Sequence, residues 1–136
     1  MKTAWRGIVC VILAGGGTSS AMACGHCIED KVAAVYDHAV ITRAIAREHQ
    51  VVFFAIEGNI PAGKGTRRSL EAIVESVAGV DKGSARVSVE SAALCAAFDL
   101  ARAPLAIMER ALSRKLAVLG LSVAMVHVMD KRPGAR

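Results

Sequence analysis

Val51-Val52-Phe53-Phe54-Ala55-Ile56 is an unbroken apolar run of β-branched and aromatic residues, the composition expected of a buried strand. Downstream, residues 58–65 contain Gly58, Pro61, Gly63 and Gly65 and read as a loop. Leu70, Ile73, Val74 and Val77 then recur at helical spacing, with Thr66 or Ser69 as the cap and Gly79 as the stop. Residues 84–90 alternate, with Ala85, Val87 and Val89 on one side, and residues 92–100 form a second strand-like run after a turn at Glu90-Ser91. Pro104 opens a helix whose apolar face is Leu105, Met108, Leu112, Leu116 and Leu119, and Gly120 closes it. Residues 121–129 are a last strand.

From residue 51 the order is thus strand, helix, strand, strand, helix, strand. This predicts an α+β chain with a ferredoxin-like βαββαβ domain over residues 51–130, with both helices on one face of a four-stranded antiparallel sheet. The competing reading is a helical bundle, because an alanine-rich segment such as 92–97 is also compatible with a helix. Upstream, Ile28, Val32, Val35 and Ala39 predict an extra N-terminal helix over 28–48, with Glu29 and Asp30 in its first turn, lying on the other sheet face or along an edge. Residues 131–136 are a polar tail.

The first 23 residues read as an export leader. Lys2 and Arg6 precede an apolar stretch over 7–14, and Ala21-Met22-Ala23 is a small-x-small cleavage site. That stretch is shorter than the ~18 residues a membrane span needs, and no other run reaches that length. The expectation is a periplasmic or secreted protein without a membrane span, its mature chain starting at Cys24. A lipid anchor on Cys24 is the variant reading, although Ala21 stands where a lipoprotein signal usually has Leu. Loss of Lys2 and Arg6 lowers the formal charge from +5 to +3. The remaining basic residues are scattered, and after residue 23 the aromatic residues are Tyr36, Phe53, Phe54 and Phe98. No stacking platform for nucleic acid is visible.

Residues 51–129 resemble a heavy-metal-associated domain, the small copper-chaperone fold. The likeness lies in the element order, in the helix ending "ESVAGV" over 75–80, and in the alternating "ARVSVES" over 85–91. The resemblance implies a metal-handling role and, in that family, an M-x-C-x-x-C between the first strand and first helix. Here that loop, 58–65, contains no thiol. An M-x-C-x-x-C stands instead at Met22-Ala23-Cys24-Gly25-His26-Cys27.

Cys24, His26 and Cys27 are therefore the candidate metal ligands. Two thiolates three residues apart at a helix start converge on one soft cation such as copper, and the helix end lowers their pKa. A free amine at Cys24, two residues before His26, also completes a square-planar nitrogen set for Cu(II). Two alternatives use the same residues. Cys-Gly-His-Cys is the tetrapeptide of protein disulfide isomerases, which suits a periplasmic thiol–disulfide protein. Those enzymes place it after a buried strand with a Trp just before, and neither is found here. A structural disulfide in a non-catalytic interaction module is the other. Expected partners are a metal ion and a metal transporter or redox protein. Spacing identifies no catalytic residues.

Met125, His127 and Met129 alternate and on that basis share one strand face, which makes them a second candidate ligand set for Cu(I); core packing is the alternative. Cys95 reads as a buried thiol, and His38 and His49 as solvated. Residues 58–65 mimic a phosphate loop, but Gly65 occupies the position of the required hydroxyl. Lys64, Arg67 and Arg68 near a helix start leave only a generic anion site.

Overall fold

A computed structural model describes residues 25–130. Four helices and four strands follow in the order α1 (Gly25–Val35), α2 (His38–Ala46), β1 (Gln50–Glu57), α3 (Thr66–Glu75), β2 (Arg86–Ser88), β3 (Ala93–Phe98), α4 (Leu105–Ala117) and β4 (Ser122–Met129). The strands form one sheet in the order β2-β3-β1-β4. Every neighbouring pair is antiparallel. This is the ferredoxin-like arrangement expected for residues 51–130, and the helical-bundle reading is excluded because 93–98 is a fully buried strand.

The uninterrupted apolar run in β1 has a direct explanation. Val52, Phe54 and Ile56 pack with Leu70 and Val74 of α3 and with Met108, Leu112 and Leu116 of α4. Val51 and Phe53 point the other way, into a second core with Val35 of α1 and Ile41 and Ala44 of α2. Successive side chains of a strand alternate between faces. Both faces are covered, so neither set of positions tolerates a polar residue. The helical segment before β1 thus takes the free face of the sheet.

That segment is two helices where periodicity predicts one. α1 ends at Val35 and α2 starts at His38. Asp37 caps α2 from an extended backbone (φ −131°, ψ 107°). Its Oδ1 accepts from the Ala39 and Val40 amides at 2.9 and 3.1 Å. Its Oδ2 accepts from Arg86 Nε at 2.9 Å, which ties the break to β2. The 28–32–35–39 stripe runs across the break and hides it, while an Asp before a new apolar run is the overlooked cap signal. The start also differs. α1 begins at Gly25, which places Glu29 and Asp30 in its second turn and the Gly25-His26-Cys27 backbone in its first.

Smaller differences have local causes. β2 spans three residues rather than the alternating seven, because the chain turns at Ser88, where Ser88 Oγ accepts from the Ser91 amide at 3.2 Å. α3 stops at Glu75, and Gly79 lies in the following turn at φ +95°. There a Cβ would run into Met108 Sδ.

Two outcomes follow for stability. Gly79→Ala combines a strained φ with a clash against Met108, and an expected loss of ~2 kcal/mol is readable by urea denaturation. Asp37→Ala costs ~1 kcal/mol near neutral pH. The Val40 amide first of all, with help from the Arg86 guanidinium, holds the Asp37 carboxyl below its ordinary value of 3.8. A depressed folded-state value stabilises above the unfolded one. The gap between wild type and Asp37→Ala is therefore full above pH 3.8 and closes as pH falls through the folded value. A gap that is constant over that acid window contradicts this assignment.

Candidate functional site

Cys24 lies outside the described residues, as do residues 1–23, read above as a leader, and residues 131–136, read as a polar tail. The backbone of Gly25, His26 and Cys27 forms the first turn of α1; the side chains of these residues are outside the description. α1 itself is firmly held. Lys31 Nζ donates to the carbonyls of Ser91 and Ala92 at 2.7 and 3.2 Å, which fastens the helix to the β2–β3 turn. At the other end Cys95 Sγ donates to the Val35 carbonyl at 3.1 Å. Cys95 is buried, and burial pushes its thiol up to about 12. It is a small core residue, as its apolar surroundings in the sequence indicate.

The second candidate set is split by the fold. β4 pairs with β1 as Val51↔Met129, Val52↔Val128 and Phe53↔His127, and the register then shifts so that Phe54 faces Met125. Val126 is the extra residue of a bulge. Residues directly opposite one another share a face. His127 and Met129 therefore lie with Phe53 and Val51 on the α1/α2 side. Met125 lies with Phe54 on the α3/α4 side, where it is 37% exposed. The simple alternation that puts all three on one face is corrected by this bulge, because one inserted residue inverts every later side chain.

On the α1/α2 side, α1 and β4 bound a groove of about 610 Å³. Ile28, Val32 and Ala33 make its apolar wall, and Tyr36 adds a ring at the end of α1. Glu29 from α1 and His127 and Met129 from β4 are its functional side chains. The His127 ring sits 5.8 Å from that of Phe53 at 52°. Two residues of the second candidate set, His127 and Met129, thus border this groove opposite α1.

A second cleft, of about 630 Å³, lies at the start of α3. Lys64 and Arg67 line it together with Glu90, whose carboxylate offsets part of their charge. The loop before α3 closes against the α4–β4 turn. Gly58 has φ +109°, and a Cβ there would stand 2.7 Å from the Gly120 carbonyl oxygen.

His49 departs from the solvated reading. Its Nδ1 is 2.7 Å from Asp81 Oδ2, and its Nε2 is 3.6 Å from Asp99 Oδ1. The three residues come from three different connections, so no local pattern announces them. The carboxylates meet opposite edges of the ring, which makes a tie between loops rather than a converging ligand set. Among the described residues, no group of three or more His, Cys, Asp or Glu is placed to hold a metal ion. His38 is exposed, as expected. Among the described residues no helix is long and apolar enough to cross a membrane.

The sequence matches no protein-family model and no curated protein. Solved structures with a similar chain path include oxidized MerP from Ralstonia metallidurans CH34, at 19% identity and TM-score 0.46, covering 58% of this chain and 99% of that one. A copper binding domain from HMA7, a P-type ATPase, is similar at 16% identity and TM-score 0.46, over 58% of this chain and 96% of the other. The N-terminal domain of the zinc(II) ATPase ziaa in its apo form is similar at 19% identity and TM-score 0.44, over 57% and 97%.

The state of Cys95 is directly checkable. In a Cys10→Ser, Cys24→Ser, Cys27→Ser variant it is the sole thiol. It is expected to ignore Ellman's reagent at pH 8 in the folded protein and to react fully in denaturant. Prompt reaction of the folded protein contradicts the buried assignment.

Proposed function

We propose that this chain is an exported, non-enzymatic metal-handling protein that binds a soft transition metal ion, copper foremost, through Cys24, His26 and Cys27. The observation that carries the reading is the position of this motif at the start of α1. Gly25 opens the helix, and the carboxylates of Glu29 and Asp30 stand one turn further on. Thiols at a helix start meet unpaired amides and the positive end of the dipole, which favours the thiolate form that binds soft cations. His26 adds an imidazole that suits the same ions. The loop over 58–65 offers no thiol for this task, so the ligand set has moved from the β1–α3 loop to the beginning of the preceding helix pair.

Export follows from the leader over 1–23, with cleavage after Ala23 and a periplasmic or secreted destination. A free Cys24 amine then gives Cu(II) a second, all-nitrogen mode of binding with His26. Acylation of Cys24 removes that mode and leaves the thiol of Cys27. The partners that fit are a metal ion and the transporter or redox protein that exchanges it.

A thiol–disulfide role is the second reading, favoured by the tetrapeptide Cys-Gly-His-Cys at a helix start, where a low thiol pKa makes a reactive pair.

Mass spectrometry of the exported protein should show an N-terminus at Cys24. Anaerobic Cu(I) titration against a competing chelator should find one tightly held equivalent, lost in Cys24→Ser, Cys27→Ser. An unchanged affinity in that variant rules out the metal reading. Disulfide-linked insulin is the matching probe for the second reading: failure of the reduced protein to reduce it rules out thiol exchange.

A further inference from the structure

The bulge in β4 leaves His127 and Met129, without Met125, facing the groove beside α1. We propose that these two residues form a strand-borne ligand pair for a soft metal ion held in that groove, a reading that rests on the metal-handling role above and extends it to the sheet.

Four observations carry the assignment. His127 and Met129 are two positions apart on one face, so their backbones are ~7 Å apart. An imidazole nitrogen and a thioether sulfur at that spacing converge on one ion, and this donor pair favours Cu(I). Among the described residues, the histidine rings engaged in hydrogen bonds are those of His38 and His49, so the nitrogens of His127 are available. The groove is electrostatically suited to a cation: among the described residues, Glu29 is the charged side chain that lines it. Its walls at Ile28, Val32 and Ala33 are apolar, and the His127 ring stands 5.8 Å from that of Phe53.

Met125 is a built-in control, since it has the same side chain on the same strand and faces the opposite layer. The test is Cu(I), added anaerobically to the full chain carrying 13C-methyl methionine. The Met129 methyl and the His127 ring resonances should shift by the first equivalents, while the Met125 methyl stays in place. His127→Ala and Met129→Leu should each weaken Cu(I) binding about tenfold, with Met125→Leu unchanged. Circular dichroism verifies that each variant folds.

Silent His127 and Met129 resonances, or equal shifts at Met125, overturn the proposal. The two readings fail separately. Shifts at His127 and Met129 that persist with unaltered affinity in Cys24→Ser, Cys27→Ser sink the helix-start site and uphold the strand pair. Cu(I) binding that is lost in that variant, with His127 and Met129 silent in the wild type, does the reverse.

Discussion

Phe53 and Phe54 are chain neighbours, and a strand points neighbours in opposite directions, so burying both rings requires a layer on each face of the sheet. Both are essentially without exposure. Phe54 is enclosed by α3 and α4, and Phe53 by α1 and α2. The βαββαβ unit supplies only the first layer. The second must come from outside the unit, and the N-terminal helices supply it. α1 is thus fixed to the sheet by the same burial that fixes β1, with Lys31 on the β2–β3 turn and Asp37 on Arg86 as polar fasteners. Exposed pairs of the latter kind contribute little by themselves. Their service is to set where α1 ends and how α2 departs.

This constraint gives the N-terminal motif its setting. Residues 25–27 do not trail from a domain; their backbone is the first turn of a helix whose far end is packed in the core. In the family that residues 51–129 resemble, the thiols lie between the first strand and first helix. Here the corresponding loop closes on Gly120 through Gly58 and carries no donor sulfur. Residues with soft donors are instead Cys24 and Cys27 in the sequence at and just before the start of α1, and His127 and Met129 on β4. A helix that covers a sheet face necessarily leaves a seam beside the edge strand, and in this protein the seam has His127, Met129 and Glu29 in it.

The bulge at Val126 shows how one residue redistributes chemistry. Without it, Met125, His127 and Met129 would stand in line on one face. With it, the strand contributes to both cores: Val123 and Val128 pack toward α3 and α4, and Val126 and Met129 toward α1 and α2. Bulges are frequent on edge strands, where pairing on one side alone leaves room for the extra residue. Edge position and insertion are properties of the sheet, so period-two counting along β4 is blind to them.

What the residues alone determined is the succession of elements from residue 51 onward and the buried character of β1, because apolar period and turn composition are local properties that survive without tertiary context. The C-x-x-C, the thiol-free loop and the buried character of Cys95 were legible on the same grounds. The break at Asp37 was encoded in a cap residue but masked by a hydrophobic stripe that continues across it. Tertiary structure alone decided the rest. It set the register of β4 against β1, the meeting of His49 with Asp81 and Asp99 from distant connections, and the groove that joins α1 to the edge strand. Each of these depends on which backbone lies beside which, and that is settled by packing two layers on a twisted sheet rather than by any single segment.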